Sequence, residues 1–439
     1  MNQETNYDKL FKRFCILTPV ILAILGIFID MYKWYTAFRP GVYDLSTFII
    51  MQFSLNYEYG LTPRGLINEI VVNFVNFAFD GKNYLETQMV LRYVTIVLFD
   101  VYFLRFIYKK GTELRKKYGH IIYPIILFSM FFVFQFFVVT FDYASYDVYL
   151  VALMFMSLCF IHKDKPFLII IPMVLMMFLH EGSLFMFMPV IYAFLLKKTI
   201  NADRNTKIKY WSAIMISGIL MSAIFIYFSM FAWRNHTLEQ YDEYMHYLMN
   251  LYAMPQMGYG FEFIADETFV KQEFLGAHLS TFDPSFYKYP VSYAIYCWAT
   301  TGAYLLIFTP ILIGLRGVYS KFRLVTQSKI DKLKYALILI AQPLALLPFI
   351  VLKTDEGRWF RDIVLYYLIL FFYKLYTEDC SEIVEILKTK IVNLYNLFKA
   401  SLQNKLCLIV WFIFLYPGCT NSPSTLVHNL VVITYLMLK

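Results

Sequence analysis

The chain has 439 residues, of which 59% are hydrophobic and only 16% charged, and its mean hydropathy is +0.55. About a quarter of the residues of a soluble protein are charged, so this composition excludes an ordinary soluble domain and predicts an integral membrane protein. The net charge of +8 predicts no nucleic-acid partner, because in a membrane chain the positions of the cations matter more than their sum. The six cysteines include no CxxC pair, so neither a disulfide framework nor a zinc site is indicated.

Apolar segments typical of membrane helices recur along the whole chain and are separated by short charged segments. No small-residue cleavage site follows the first one, which we therefore interpret as a retained helix and not a signal peptide. Ten spans are predicted, at 14–29, 88–108, 121–140, 146–161, 166–180, 183–196, 210–230, 291–314, 335–352 and 361–376, with two shorter candidates at 405–416 and 425–438. The pattern predicts an all-α fold: one polytopic transmembrane bundle of 10–12 spans over residues 1–439.

Basic residues fall into alternate connections of this bundle. If the N-terminus is cytoplasmic, most of the 39 Lys and Arg residues lie on the cytoplasmic side, in the connections 109–119, 162–165, 197–209, 315–334 and 377–404. This arrangement satisfies the positive-inside rule. The opposite side then receives a first loop, 30–87, and a large loop, 231–290. The unusual polar sequence therefore gathers on the outer side.

Two segments outside the spans have amphipathic patterns. The apolar stretch within "YGLTPRGLINEIVVNFVNFAF", residues 59–79, is too short to cross a bilayer. Its polar residues Glu69, Asn73 and Asn76 share one helical face, which predicts an interfacial or re-entrant helix after the first span. In 377–404, apolar residues alternate with lysines at helical spacing, which predicts a helix on the cytoplasmic surface.

The stretch "MMFLHEGSLFMFMP", residues 176–189, places His180 and Glu181 between apolar flanks. Ionisable groups in such a setting are costly and usually face the protein interior or water. An apolar setting favours a protonated glutamate and fits Glu181 for proton transfer, while His180 could hydrogen bond to a substrate oxygen. The alternative is a turn among lipid headgroups with His180 as a helix C-cap.

The motif "TPRG", residues 62–65, leads into the amphipathic helix. Arg64 stands where free backbone N–H groups and the helix dipole already favour an anion, which predicts a phosphate site. The alternative is an arginine that reaches the lipid headgroups.

A dense group of charges, "KTDEGRWFRD", occupies residues 353–362 between two predicted spans. If a helix begins near Gly357, Arg358 and Arg361 share a face and suit a pyrophosphate. Acidic neighbours could orient a sugar hydroxyl, and an aromatic ring lies beside them: Asp355, Glu356 and Trp359. The alternative is an ion-pair cluster that closes a short loop.

A second tier of candidates comes from "TFDYASYD", residues 140–147. Asp142, Asp147 and Tyr146 could be metal ligands or sugar contacts, but a capped turn explains the spacing equally well. The outer loop 231–290 is rich in aromatic and acidic residues, a composition that suits a carbohydrate groove or, alternatively, an aromatic belt with a structural lid. No P-loop, GxGxxG, HExxH or GxSxG motif stands in a supporting context, so no cofactor is indicated.

The spans, the large outer loop and the motifs TPRG, HEG and DEGRW together resemble the polytopic polysaccharide polymerases of bacterial O-antigen and capsule pathways. More loosely, the chain is similar to GT-C type membrane glycosyltransferases. The first resemblance implies a multi-pass enzyme of the bacterial inner membrane. Such an enzyme joins polyprenyl-pyrophosphate-linked oligosaccharide repeat units on the periplasmic side, within membrane lipid and alongside a chain-length regulator and a flippase of the same pathway.

In the mechanism that this resemblance implies, three arginines bind the pyrophosphate and stabilise its charge as it leaves: Arg64, Arg358 and Arg361. Glu181 or His180 deprotonates the acceptor hydroxyl. Other outer carboxylates stay open as the base: Asp142, Asp355 and Glu356. No metal or cofactor is required, because an activated leaving group, a positioned hydroxyl and a base are sufficient.

Other classes of protein remain as alternatives. A GT-C enzyme that uses a polyprenyl-phosphate sugar donor usually carries an acidic pair soon after its first span, where this chain has only the isolated Asp30 and Asp44. A lipid-linked glycan flippase or transporter is expected to place its polar site near the bilayer midplane, whereas the polar motifs here cluster on the outer side. A polytopic acyltransferase would need an arginine at a suitable spacing before His180.

Overall fold

The computed structural model describes residues 11–13, 57, 61, 65–79, 84–120, 122–123, 125–126, 145–230, 237–251, 328–352, 356–382 and 384–385. Within these ranges the regular structure is helical and includes no strand, which confirms the all-α prediction. The spans predicted at 14–29, 291–314, 405–416 and 425–438 lie outside the described residues, as does most of 121–140.

Ten α-helices are described. Their bounds are α1 Leu66–Phe79, α2 Tyr84–Tyr118, α3 Ser145–His162, α4 Ile170–Leu179, α5 Ser183–Met186, α6 Met188–Lys198, α7 Arg204–Met230, α8 Leu238–Leu251, α9 Lys329–Leu352 and α10 Glu356–Thr377. A single 3-10 turn, Pro166–Ile169, leads into α4. Within the described ranges, α7 is long and apolar enough to cross a membrane by itself, between Arg204 and Phe228. Three other apolar helices are shorter: Leu66–Phe79, Tyr149–His162 and Pro166–Leu179.

Several helices continue beyond the apolar runs that predict them. The run 88–108 is the centre of α2, which continues through the predicted connection to Tyr118. Lysine, arginine and glutamate are good helix formers, so the charged sequence does not break the helix. Gly119 ends it at φ 75°, a left-handed conformation that glycine adopts without steric cost. α7 and α9 likewise begin about six residues before their apolar runs.

The described helices pack around a core rich in methionine. α6 lies between α7 and α9, α9 packs on α10, and α4 packs on α3 and α7. Met173, Met176, Met186 and Met188 are fully buried. The flexible thioether of methionine fills the irregular space beside short and interrupted helices such as α4, α5 and α6.

The termini of six helices meet at one end of this bundle, which we call the polar end. The ends of α3, α6 and α7 meet at Asp164, whose carboxylate lies 2.6 Å from the Tyr210 hydroxyl and 3.0 Å from Lys198 Nζ. At the start of α9, Lys334 donates to the carbonyl of Thr199, just after α6. At the ends of α2 and α10, the Tyr118 hydroxyl lies 2.9 Å from the carbonyl of Leu375. Four of these helices, α2, α3, α6 and α10, finish at the polar end, and two, α7 and α9, start there.

Prolines interrupt two of the packed helices and release backbone carbonyls inside the bundle. Pro343 in α9 has no N–H for the carbonyl of Leu339, four residues earlier. The Tyr367 hydroxyl on α10 donates to that carbonyl at 2.8 Å. The neighbouring Tyr366 hydroxyl donates to the carbonyl of Ile338. Side chains of α10 thus supply donors to carbonyls at the proline break in α9, which stabilises an otherwise costly interruption.

The loop 231–290 contains a helix that the apolar pattern does not predict. α8 starts with a reciprocal capping box, in which Thr237 N–H donates to Gln240 Oε1 at 3.0 Å and Gln240 N–H donates to Thr237 Oγ1 at 3.2 Å. Tyr244 is buried and stacks on Tyr247. The opposite face of α8 presents exposed acidic residues: Glu239, Asp242 and Glu243.

The tyrosine donors of α10 predict a difference between two substitutions on this helix. Tyr367→Phe removes the donor to the Leu339 carbonyl inside the bundle, so the free energy of unfolding should fall by about 1 kcal/mol. Tyr376→Phe removes only an exposed hydroxyl that accepts from Lys110 and should change it by less than about 0.5 kcal/mol. Thermal midpoints in one detergent measure both effects. Equal midpoints for the two variants would contradict the role assigned to Tyr367.

Lys197, one residue beyond the predicted span 183–196, predicts a pH dependence of stability. Burial lowers the pKa of its ammonium group from 10.5 to about 8, against the attraction of Glu378. Between these values the unfolded chain binds more protons than the folded chain, so the free energy of unfolding should rise with pH in this window. Thermal midpoints should therefore rise more steeply from about pH 7.5 to about pH 9.5 for the native chain than for Lys197→Met. A Lys197→Met slope equal to the native one would count against this assignment.

Candidate functional site

The His180–Glu181 pair lies in a break between two helices. α4 ends at Leu179, where the His180 N–H donates to the Met176 carbonyl at 2.9 Å. His180 itself is extended, at φ −165° and ψ 117°, and its carbonyl accepts from the Ser183 N–H at the start of α5. The predicted turn between 166–180 and 183–196 is therefore confirmed, and His180 is the C-cap of α4.

The backbone of the turn fixes the protonation pattern of the imidazole ring. The Gly182 N–H donates to His180 Nδ1 at 2.9 Å, so Nδ1 is an acceptor and the neutral ring carries its proton on Nε2. Glu181 Oε2 lies 3.7 Å from the same Nδ1, which is too far for a hydrogen bond. That nitrogen already accepts the Gly182 N–H. The side chains of His180 and Glu181 are 13% and 20% exposed, so both are shielded without being sealed.

Position 182 requires glycine because a side chain there would have no room, and not because of its backbone dihedral angles. Its φ of −61° is accessible to any residue. A Cβ atom at this position would lie 2.9 Å from both Cε1 and Nδ1 of His180, inside normal van der Waals contact. Glycine therefore lets the imidazole ring lie against the backbone, where Nδ1 accepts the Gly182 N–H.

α1 brings part of the first outer loop to the same region. Its polar residue Glu69 accepts the Tyr57 N–H at 3.0 Å and the side-chain amide of Asn73 at 2.8 Å. The Tyr57 ring meets the Phe178 ring edge-on at 6.5 Å, two residues before His180. Burial, and then the charge of Glu69, raise the pKa of the Tyr57 hydroxyl, which therefore remains a donor near neutral pH. Tyr57 and the start of α1 thus lie beside the end of α4 that leads into the His180–Glu181 turn.

The helix α1 has three chemically different faces. Asn68 is fully buried in the bundle together with Val71, Val72 and Val75. A second face exposes large apolar side chains, Ile70, Phe74 and Phe77. The third face carries the polar residues Glu69, Asn73 and Asn76. A helix with one buried, one apolar and one polar face is suited to the boundary between lipid and water.

Most of the remaining predicted site residues are described only by their place in the backbone or lie outside the described residues. α10 begins at Glu356, close to the predicted start at Gly357, so its first two turns contain Glu356, Arg358, Trp359 and Arg361. Tyr146 and Asp147 lie in the first turn of α3. Arg64, Asp142 and Asp355 lie outside the described residues.

The site predicted from the sequence does not include two buried polar residues, Gln342 of α9 and Asp362 of α10. Asp362 is 2% exposed and lies one turn after Arg358 on α10. Gln342 is fully buried in the middle of α9 and donates to the carbonyls of Phe185 and Met186. Both carry a signal in the sequence, because each is a polar residue at the edge of, or within, an apolar run. Their burial depends on neighbouring helices.

No family model, curated protein or solved structure matches this chain significantly. Among the described residues, no group of three or more His, Cys, Asp or Glu side chains is arranged to hold a metal ion. The described fold and geometry therefore define an all-helical protein with a histidine–glutamate pair in a helix break.

The contact between Gly182 and the His180 ring predicts the effect of a single methyl group. Gly182→Ala should push the ring from its place and break the N–H···Nδ1 bond, lowering the free energy of unfolding by about 1–3 kcal/mol. The matched change is Gly218→Ala in α7, where the nearest atom would lie 3.9 Å from the new Cβ. Thermal midpoints of the two purified variants make the comparison. Equal destabilisation would show that the turn has no special need of glycine.

Proposed function

We propose that the chain is a polysaccharide polymerase of the bacterial inner membrane, a polytopic bundle of 10–12 spans. It joins polyprenyl-pyrophosphate-linked oligosaccharide repeat units at the outer face of that membrane. The observation that carries the proposal is the His180–Glu181 pair, held in a helix break beside the amphipathic helix of the first outer loop. Ionisable residues placed in this way inside an apolar bundle mark substrate sites more often than structural turns.

The proposed topology is supported by the polar end, because the six helix termini that meet there all adjoin connections assigned to the cytoplasm. The connections assigned to the cytoplasm contribute Lys117, Asp164 and Lys334 to the polar end. The helical path from Ser183 to Lys198 rises about 24 Å at 1.5 Å per residue, while the apolar core of a bilayer is about 30 Å thick. If the polar end marks the cytoplasmic boundary, the His180–Glu181 turn lies just inside the outer boundary. A lipid-linked substrate can reach this depth.

The geometry assigns different roles to the two residues of the pair. Because Nδ1 accepts the Gly182 N–H, His180 acts through the proton on Nε2 as a hydrogen-bond donor to a substrate oxygen. Glu181 is then the base that takes the proton from the acceptor hydroxyl. The hydroxyl oxygen forms the new glycosidic bond as the bond from the donor sugar to pyrophosphate breaks. Arg64, Arg358 and Arg361 bind the pyrophosphate as it leaves.

The test is the length of the glycan made by a host that lacks its own copy of the gene, at equal membrane abundance of each variant. Glu181→Gln should abolish long chains and leave single lipid-linked repeat units on the periplasmic side. Glu113→Gln makes the same chemical change in a half-exposed ion pair with Lys110 and should leave the polymer normal.

Arginine variants extend the test to the leaving group. Arg64→Ala and Arg358→Ala should each shorten or abolish the polymer, because they remove charge from the pyrophosphate site. Repeat units that accumulate on the cytoplasmic side would instead identify a flippase. Normal polymer in the Glu181→Gln strain would refute the proposed role of the turn.

A further inference from the structure

The side-chain amide of Gln342, in α9, lies next to the backbone between α5 and α6. Its side chain is fully buried, and Nε2 donates to the carbonyls of Met186 and, at 3.4 Å, Phe185. Two carbonyl oxygens face the amide, so the NH₂ group and not the oxygen must point at them. The amide orientation is therefore determined by its partners.

The sequence explains why these carbonyls need a donor from another helix. α5 ends at Met186 and α6 begins at Met188, so the helical ladder is interrupted between them. Pro189, the second residue of α6, has no N–H to give to the carbonyl of Phe185 four residues earlier. An apolar residue in place of Gln342 would leave buried acceptors without this donor, at a substantial cost.

A continuous chain of hydrogen bonds connects Gln342 to the imidazole ring. The Gln342 amide donates to the Met186 carbonyl. The Met186 N–H donates to the Gly182 carbonyl at 3.0 Å. The Gly182 N–H donates to His180 Nδ1 at 2.9 Å. Each bond restrains a residue whose other backbone group makes the next bond, so the position of the ring depends on the amide in α9.

We propose that Gln342 is a positioning residue for the His180–Glu181 turn: it anchors the one-turn helix α5, which in turn holds the His180 ring. This role in the reaction rests on the polymerase function proposed above. The structural part does not, because it concerns only how firmly the turn is held. The two parts can therefore be tested separately.

The first measurement is amide hydrogen exchange of residues 180–187 in the full chain, purified in detergent. Gln342→Met keeps the length of the side chain and removes the donor, so exchange of the Ser183–Met186 amides should accelerate about tenfold or more. The matched control is Ser157→Ala, which removes a buried hydroxyl bonded to its own helix at Leu153. It should leave exchange in the turn unchanged. Unchanged exchange in Gln342→Met would overturn the anchoring role.

The second measurement is polymerisation of purified lipid-linked repeat units by the same variants. A displaced turn misplaces the reacting groups, so kcat of Gln342→Met should fall about 10- to 100-fold while KM stays within about threefold. Because Gln342→Met also loses a buried hydrogen bond and should unfold at a lower temperature, kcat is measured per folded molecule, at a temperature where each variant is folded. A fall in activity that merely follows the fraction of folded protein would reduce Gln342 to a structural residue and overturn the positioning role.

Gln342→Glu supplies a readout that a purely structural residue would not move. A protonated glutamate still donates one hydrogen bond, whereas an ionised one offers only acceptors to the two carbonyls. Its kcat should therefore be near the native value at low pH and fall as the new carboxyl ionises, a step absent from the native profile. A pH profile parallel to the native one would contradict the proposal.

The outcomes separate the two proposals. If Gln342→Met accelerates exchange in the turn but Glu181→Gln polymerises normally, Gln342 holds the turn and the polymerase mechanism is wrong. If Glu181→Gln is inactive and Gln342→Met is normal in exchange and in kcat, the mechanism stands and the positioning role is wrong.

Discussion

Unsatisfied backbone carbonyls are the constraint on which this bundle depends. A proline inside a helix removes a donor, and in an apolar interior no solvent replaces it. Pro189 and Pro343 create this problem on two helices that pack against each other. The solution is the same in both cases, since a side chain from the neighbouring helix donates to the released carbonyls: Gln342 for α5 and α6, and Tyr367 for α9. Prolines therefore specify which helices must be neighbours.

A separate helix break, between α4 and α5, creates the candidate site. A continuous helix would carry His180 and Glu181 on its sides, with every N–H engaged in the ladder. The interruption instead frees the Gly182 N–H to bond to Nδ1 and places the pair at a helix end. Gln342 donates to the carbonyl at the C-terminal end of α5, and the Gly182 N–H before α5 holds the imidazole ring of His180. The two contacts are thus parts of one arrangement. This links the stability of the bundle to the geometry of the turn.

The sequence predicts the local features of this structure well. Apolar runs locate the helix interiors, the HEG tripeptide locates the turn, and the polar pattern of α1 predicts its amphipathic character. Prediction fails where the answer depends on charged helix formers or on distant partners. Hydropathy cannot show that α2 continues to Tyr118, because the residues of its last turns are charged. Nor can it show the tautomer of His180, which depends on one backbone N–H.

Buried polar residues are the least predictable part of the candidate site. Gln342 stands out in an apolar run, but nothing in the local sequence identifies its partners, which lie 156 and 157 residues away. Asp362 belongs to a charged motif, and its burial depends on the packing of α10. For Gln342 the polar atom is explained by a contact between helices.

The bond between Gln342 and Met186 has a consequence for biogenesis. Met186 is synthesised 156 residues before its donor, an interval of about 8 to 30 s at 5–20 residues per second. During this interval the hairpin of α4, α5 and α6 has left the ribosome with a carbonyl that its own sequence cannot satisfy. The hairpin therefore reaches its final geometry only after α9 has packed beside it. A chain truncated before residue 342 would retain an incomplete turn, which makes the order of synthesis part of how the site is built.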